Sequence, residues 1–281
     1  MKIAAASLLA LLVLALVFLG VWRAADRRAD ARAWIALASV EAPSGVFDPE
    51  RVADLPEPAR RYFLYTIAPG TPLRRAAVIE MGGEIGLGTR DAPGYRPMAA
   101  RQILAPPHGF VWRLDAGLIA GSDGMTPDTS WTRFWLAGLL PVVRAGGDAD
   151  AFRSAFGRVV AEGTFWTPAV FLPGPGIRWE EVDADTARVT LSAHGLEQSV
   201  EITVAEDGQP VRVVMPRWSD ANPEGEWRVQ PFGGDLSEFR DFGGYRLPTH
   251  VDGGNLIGTE DYFPFFKARV TDIRFDDLAV P

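Results

Sequence analysis

Two carboxylates, Glu162 and Asp123, are the residues whose surroundings could support acid–base chemistry. Glu162 follows the run Val159-Val160-Ala161 and precedes bulky apolar residues, and an apolar pocket there would raise the pKa of its carboxyl group. Asp123 lies in the Gly-rich stretch GSDGMTPDTSW (121–131), which is either a site-bearing loop or a solvated connection. On a helical wheel, however, Glu162 falls at the rim of the apolar stripe, one turn after Arg158. We therefore favour an ion pair at a helix edge, and both acids are only weak catalytic candidates.

Aromatic residues are the second group with possible chemistry, since the chain has 9 Trp and 16 Phe. Trp166 and Trp179 flank the Pro/Gly-rich segment TPAVFLPGPG, where the backbone is expected to be irregular. Large aromatic rings around an irregular segment are typical of an apolar ligand cleft, although core packing is their commoner use. The residues that we predict to bind a ligand are Trp112, Trp135, Trp166, Trp179 and Phe171.

Several other chemistries lack a signal in the sequence. There is no G-x-S-x-G nucleophile motif and no phosphate-binding loop, and the Gly-rich segment GGEIGLG (82–88) reads as glycines packing in a curved strand. With no Cys, the chain has neither disulfides nor thiolate ligands. None of the three His has a second His or an acid at metal-ligand spacing. We therefore predict no metal and no cofactor.

The N-terminus carries a membrane signal. Twenty uncharged residues run from Ile3 to Trp22, and a helix of that length spans roughly 30 Å, the thickness of a bilayer's hydrocarbon core. A cleaved signal peptide is the main alternative, but Val21, Trp22 and Arg23 fill the expected cleavage zone, so we favour an uncleaved single-pass anchor in the cytoplasmic membrane. Four Arg after the span place the domain in the cytoplasm by the positive-inside rule. The start nevertheless looks like an export signal. We therefore expect the domain to lie on the extracytoplasmic side, although the count of positive charges favours the cytoplasm.

Charge is unevenly distributed along the chain. The formal net charge is −8, and residues 1–34 hold five basic and two acidic residues, so the remainder carries −11. An acidic domain repels phosphate backbones, which makes nucleic acid an unfavourable partner.

The elements that must position these residues follow from periodicity. Helical patterns are predicted for residues 23–40, for about 48–67 with Asp48 as N-cap, and again between about 133 and 171. Period-two alternation predicts strands before and after this last helical stretch. These patterns predict an α+β fold with a large curved antiparallel sheet (a half-barrel) and helices on its concave face. A transmembrane helix precedes this domain at the N-terminus. The predicted divisions are an anchor (1–22), a helical linker with N-terminal helices (23–70), and a β-rich domain (71–281) with a helical insertion near 133–171.

Four segments together resemble a family of uncharacterised bacterial proteins of unknown function. They are LPEPARRYFLYTIAPGTPLRRAAVIEMGGEIGL, GFVWRLDAG, SAFGRVVAEGTFWTPAVFLPGPGIRWEEVDADTARVTL and GYRLPTHVDGG. The resemblance covers about residues 50–275, brings no catalytic residues with it, and implies a short hydrophobic N-terminal anchor. The fold that it implies is similar to the half-barrel of lipoprotein carriers, which is an analogy of fold and not of function.

Three functions remain open at this point. The first is a membrane-tethered domain that binds an apolar or lipidic ligand in the concavity of the sheet. The second is a carboxylate-dependent hydrolase or isomerase, and the third is a non-catalytic envelope scaffold protein. A cleft with two converging carboxylates would favour the enzyme, and an apolar tunnel lined by Trp and Phe would favour the binding protein. The ligand, partner proteins and oligomeric state are not encoded in any motif.

Overall fold

The computed structural model describes residues 2–279. One sheet of 13 strands dominates, and three α-helices and two short 3-10 helices (Pro49–Val52 and Pro168–Phe171) accompany it. The helices are α1 (Lys2–Ala38), α2 (Glu57–Thr66) and α3 (Ala149–Trp166). The strands are β1 (Ala77–Gly86), β2 (Tyr95–Ala105), β3 (Gly109–Ala116), β4 (Ile119–Thr126), β5 (Thr129–Leu136), β6 (Leu140–Gly146), β7 (Ile177–Glu181), β8 (Thr186–Ala193), β9 (Leu196–Val204), β10 (Pro210–Ser219), β11 (Arg228–Phe242), β12 (Tyr245–Asn255) and β13 (Phe263–Arg274).

Every neighbouring pair of strands is antiparallel, in the order β6-β5-β4-β3-β2-β1-β13-β12-β11-β10-β9-β8-β7. Hairpins build each half of the sheet, and the pairing of β1 with β13 joins the halves. The predicted α+β class with a large antiparallel sheet is confirmed.

The sheet is curled around α3. This helix contacts β5 and β6 in one half and β9 and β10 in the other. In the sheet order β5 and β10 are eight positions apart, which is about 38 Å across a flat sheet at the usual strand spacing. A helix with side chains is only about 10–12 Å wide. The two halves must therefore wrap α3, and the predicted half-barrel with a helix in its concavity is confirmed.

Two helices begin at an Asp side chain that acts as N-cap, and the predicted cap at Asp48 is one of them. Asp48 accepts a hydrogen bond from the backbone N–H of Glu50 at 3.1 Å, although the helix it starts is a single 3-10 turn and α2 begins separately at Glu57. Asp148 caps α3 by accepting from the N–H of Ala151 at 2.8 Å. These side chains satisfy backbone donors that the first turn of a helix leaves unpaired.

Gly83 of the segment 82–88 is packed as expected of a glycine in a curved strand. A side chain on Gly83 would place its Cβ 2.0 Å from the Lys267 carbonyl oxygen, and the backbone there has a φ of +127°. Glycine is therefore required for β1 to pass this close to β13.

The expected helix over residues 133–146 is wrong. These residues form the end of β5 and all of β6, joined by a turn at Ala137–Leu139. A short apolar run does not by itself distinguish a helix from a strand, and here the pairing of β5 with β4 and of β6 with β5 decided the outcome. Pro141 is tolerated because β6 is an edge strand. The expected loop at 121–131 is likewise most of the β4–β5 hairpin.

On the convex face, α1 runs against β2, β3 and β4. Trp34 of α1 is fully buried there, packed with Ile103 and Val111, and its Nε1 donates to the Leu278 carbonyl oxygen at 2.9 Å. The start of α1 is different, because its side chains from Leu8 to Val21 are largely exposed. Within residues 2–279, α1 is the one helix long and apolar enough to cross a membrane, a test that a signal sequence also passes.

Candidate functional site

A cavity of about 180 Å³ lies between α3 and the concave face of the sheet. Its wall is mainly apolar and aromatic, with four charged side chains at one part of it. The lining residues are Ile85, Trp112, Asp123, Arg158, Ala161, Glu162, Phe165, Trp166, Val213, Arg217, Phe232, Gly233, Gly234, Leu236, Val251, Gly253, Phe265 and Phe266.

Glycines on β11 and β12 help to keep this space open. Gly233, Gly234 and Gly253 line the cavity and contribute no side chains to it. A Cβ added to Gly253 would meet nothing closer than 3.7 Å, so the cavity extends up to the backbone of this residue. A Cβ on Gly234, by contrast, would lie 2.3 Å from the Asp252 carbonyl oxygen, where only glycine fits.

Arg158 of α3 organises the polar part of the wall. Its Nε donates to Glu162 Oε1 at 2.5 Å, and its Nη1 donates to Asp123 Oδ2 at 2.7 Å. Gln102 of β2 donates to Glu162 Oε2 at 2.5 Å, and Thr132 of β5 donates to Asp123 Oδ1 at 2.9 Å. Both carboxylates are thereby held in place by hydrogen bonds.

The ionised state of Arg158 is stabilised by this arrangement. Burial by itself lowers the pKa of Arg158, but the charges and hydrogen bonds of Glu162 and Asp123 more than compensate, so its pKa is raised. The guanidinium also lies 4.4 Å from the centre of the Phe110 ring and 5.1 Å from that of Trp112. Stacking of this kind adds to the stability of a desolvated cation.

The predicted pairing of Glu162 with Arg158 is present, but its predicted location is wrong. The pair is not at a solvated rim, because the side chains of Arg158 and Glu162 are only 15% and 14% exposed. Glu162 also has the partner that it lacks in the sequence: Asp123 reaches the same arginine from β4. Glu162 is therefore part of a largely buried cluster and not of a surface ion pair.

Arg217 of β10 is the functional candidate that the sequence analysis did not single out. It lines the cavity and stacks over the Phe232 ring at 4.6 Å, and its Nε has no hydrogen-bond partner among residues 2–279. In that part of the chain it also forms no ion pair within 4 Å. Burial, with the charge of Arg158 as a further cause, lowers the pKa of Arg217 to about 10, so it is still a cation at neutral pH.

A signal for Arg217 does exist in the sequence. Val213 and Met215 alternate along β10 and are buried, and Arg217 continues this alternation on the same face. A charged residue in register with a core face is costly to bury unless it is paired. That conflict between pattern and residue type marks a candidate site.

The predicted ligand-binding aromatics separate into two groups. Trp112 and Trp166 line the cavity, whereas Trp135, Trp179 and Phe171 do not. Trp179 packs on Phe63 of α2 and donates from Nε1 to the Phe171 carbonyl oxygen at 2.9 Å, and Phe171 itself is fully buried.

Trp135 lies on the other side of the sheet. Its Nε1 donates to Asp26 of α1 at 3.1 Å on the convex face. Because side chains alternate between the two faces of a strand, Trp135 lies on the opposite face from Thr132 and Phe134, which contact the cavity residues Asp123 and Trp112.

The histidines are placed apart from this site. His194 Nε2 lies 2.9 Å from the Pro107 carbonyl oxygen, and His250 contacts Asp252. Within the described part of the chain, no group of three His, Asp or Glu side chains is arranged to hold a metal ion.

The arrangement is suited to holding an oxygen-bearing apolar molecule. Asp123 and Glu162 are held by Arg158, whereas the buried Nε of Arg217 has no hydrogen-bond partner within residues 2–279. Trp112 Nε1 is a second buried donor that has no partner within residues 2–279. Buried polar groups are normally satisfied, so unpartnered donors in the wall of a cavity point to an acceptor supplied from outside the chain.

Comparison with known proteins places the chain in a family without adding a function. No curated protein matches it. A solved structure from Vibrio parahaemolyticus, of a domain that its description assigns to outer membrane lipoprotein sorting, has 11% sequence identity and a TM-score of 0.37. The match covers 72% of this chain and 86% of that one, and a likeness at this level carries no inference about function. A sequence model matches residues 45–268, and the protein belongs to that family, the family of unknown function DUF6544.

Proposed function

We propose that this protein is a membrane-tethered binding protein for a single-chain amphiphile with an anionic head group. The apolar part of the ligand occupies the cavity between α3 and the sheet, and its head group pairs with Arg217. The observation that carries the proposal is the buried Nε of Arg217, which has no hydrogen-bond partner within the described residues, in the wall of a mainly apolar and aromatic cavity. The exposed apolar start of α1 supports the tether.

The size of the cavity limits the ligand. An engineered apolar cavity of about 150 Å³ in another protein binds benzene, and drug-sized ligands need roughly 300–1,000 Å³. At about 180 Å³ the present cavity suits one ring or a short acyl segment, and not a lipid with several chains.

Charge favours an anion over a cation. Asp123 and Glu162 already share Arg158, so neither offers a free negative charge to a cationic ligand. A carboxylate or phosphate oxygen can accept charge-assisted hydrogen bonds from Arg217, which are the stronger class of hydrogen bond. The same oxygen would relieve the unpartnered donor of the buried guanidinium.

The test is a displacement assay on the full chain in detergent micelles, with anilinonaphthalene sulfonate as the fluorescent probe and octanoate or octanol as competitors. Octanoate should displace the probe better than octanol, because only octanoate carries the charge that Arg217 recognises. Arg217→Gln should remove this preference. Arg212→Gln is the matched control, since Arg212 lies on the same strand but pairs with Asp235 at the surface.

A second pair of variants tests the cavity itself. Gly253→Val should fill the space and weaken binding of both competitors. Gly82→Val is its control, because Gly82 also has a free Cβ position but lies on β1 outside the cavity wall. Unchanged binding in Gly253→Val, in a protein that still folds, would exclude the cavity as the ligand site.

A carboxylate-dependent enzyme is the second candidate, because Asp123 and Glu162 both line the same cavity. Each oxygen of the two carboxylates already accepts a hydrogen bond from Arg158, Gln102 or Thr132, which disfavours proton exchange with a substrate. Asp123→Asn and Glu162→Gln separate the candidates. In an enzyme each abolishes turnover, whereas in the proposed binding protein octanoate selectivity persists as long as Arg217 is intact.

A further inference from the structure

One edge of the sheet carries exposed apolar side chains that the cavity does not use. They come from the β3–β4 turn, the β5–β6 turn and β6, and we call them the apolar edge: Leu118, Leu139, Leu140, Val142 and Val143. Leu118 is 70% exposed and Leu140 is 55% exposed. Clustered exposed apolar residues, unlike scattered ones, mark a surface that meets another apolar phase.

The apolar edge adjoins the membrane end of α1. The N–H of Ala137 donates to the Leu118 carbonyl oxygen at 2.6 Å, which joins the two turns. Arg23 Nη1 donates to the Gly138 carbonyl oxygen at 2.9 Å, and the Trp22 ring lies 5.7 Å from that of Trp135. The edge is therefore level with the residue at which the exposed apolar part of α1 ends.

The remainder of α1 fixes the sheet in this position. Asp26 pairs with Arg144 and accepts from Trp135, and one turn later Asp30 lies 3.9 Å from Arg133. Trp34 is buried under the same face. Because α1 is one continuous helix, the part that crosses the bilayer and the part clamped to the sheet share an axis.

We propose that the apolar edge docks into the boundary between head groups and acyl chains of the bilayer that holds α1. Leu and Val side chains gain by leaving water, and Trp22 lies where interfacial aromatic residues are enriched. Arg23, which holds the β5–β6 turn, is also at the depth at which it can contact lipid phosphates. The docking proposal rests on the tether in the proposed function but not on any ligand in the cavity.

The apolar edge and the cavity lie near the same ends of the strands. In an antiparallel sheet, the C-terminal ends of β1 and β3 and the N-terminal end of β13 lie together. Ile85 and Phe266 of the cavity wall pair with each other close to that edge.

The absence of native Cys allows a direct test by single-site labelling. The full chain carrying Leu118→Cys or Leu140→Cys is labelled with a nitrobenzoxadiazole fluorophore and placed in vesicles of phosphatidylcholine and phosphatidylglycerol. Quenching by doxyl-labelled lipid is compared with quenching by aqueous iodide. Val46→Cys is the matched control, because Val46 is 50% exposed and follows the far end of α1. Leu12→Cys reports on the tether alone.

Labels at positions 118 and 140 should be quenched several-fold more by the lipid quencher than the label at position 46, which iodide should quench instead. If positions 118 and 140 behave like position 46 while position 12 is quenched by lipid, docking is refuted and the tether stands. Lack of lipid quenching at position 12 refutes the tether and the docking together. Protection of positions 118 and 140 from both quenchers, lost on dilution of the protein in lipid, would show instead that a second copy of the chain covers the edge.

Discussion

The two faces of the sheet each hold a helix through arginine, carboxylate and aromatic side chains, but they use this chemistry differently. On the convex face the acids are on the helix, where Asp26 and Asp30 of α1 face Arg133 and Arg144 of the sheet. On the concave face the arginine is on the helix, and Arg158 of α3 binds an acid from the sheet and one from its own turn. On both faces a guanidinium stacks on an aromatic ring: Arg144 lies 4.6 Å from the Trp22 ring and Arg158 lies 4.4 Å from that of Phe110.

The difference lies in the kind of space beside the unpaired charge. The concave face has an apolar cavity and one further cation, Arg217, without a partner in the described chain. On the convex face Arg133 and Arg144 pair with Asp26 and Asp30 of α1, and Arg113 lies over the Trp34 ring without an ion pair within the described residues. The cleft there is lined mainly by charged and small residues. A binding site therefore differs from a charged cluster that only joins a helix to a sheet. The binding site has open apolar volume beside a free charge, and the joining cluster does not.

The largest effect is expected from Arg158→Met, which leaves Asp123 and Glu162 buried without their cation. Breaking a buried ion pair by removing one partner costs about 3–5 kcal/mol. Urea unfolding of the full chain in detergent micelles measures the loss of unfolding free energy. The triple variant Arg158→Met, Asp123→Asn, Glu162→Gln should recover most of it, and a triple variant no more stable than Arg158→Met would contradict this account of the concave cluster.

Glu162→Gln should cost less, about 1–3 kcal/mol, because it removes one charged acceptor and leaves Arg158 paired with Asp123. Glu201→Gln is the surface control, since Glu201 pairs with Arg188 where both side chains are more than a third exposed. Such pairs contribute about 0–1 kcal/mol. Equal losses in the two variants, measured by the same unfolding experiment, would mean that Glu162 behaves as a surface residue.

Asp26→Asn tests whether the convex cluster is only a clamp. It weakens the contact of α1 with Arg144 and should lower the unfolding free energy by about 1–2 kcal/mol, since an amide oxygen can still accept a hydrogen bond from Trp135. Octanoate selectivity should be unchanged, because the cavity lies on the other face. Loss of selectivity in a folded Asp26→Asn protein would show that the two faces are coupled.

The smallest effect, and the one with a distinct pH dependence, is expected at Asp30. Burial raises the pKa of Asp30, and a hydrogen bond with Ser122 and the charges of Arg133 and Arg113 only partly oppose this. The folded protein therefore binds this proton more tightly than the unfolded chain does, and the contribution of Asp30 to stability falls as the pH rises through the raised pKa. The unfolding free energy of the wild type minus that of Asp30→Asn should thus increase as the pH is lowered through this range. A flat difference across the acidic range would rule out a perturbed carboxyl group.

Much of the fold could be predicted from sequence because its determinants are local. The run from Ile3 to Trp22 is apolar by composition, the cap at Asp148 acts on the next turn, and alternation along strands such as β9 records which face is buried. The pairing of Arg158 with Glu162 is also local, since residues four apart on a helix are neighbours. The family resemblance over most of the chain belongs with these features, because it too is read from sequence.

Only the tertiary structure decided the surroundings of these elements. Asp123 and Gln102 reach Arg158 from strands 35 and 56 residues away, so no spacing in the sequence could pair them. Residues 133–146 form strands because β4 pairs with β5 and β5 in turn pairs with β6, and the register of β5 on β4 directs Trp135 to the convex face. The cavity likewise exists only where α3 meets the glycines of β11 and β12, and Arg217 forms no ion pair within the described residues because Asp123 and Glu162, which line the same cavity, are held by Arg158. Periodicity fixes which face of an element is buried, whereas the partners on that face are set by long-range strand pairing, which sequence spacing does not record.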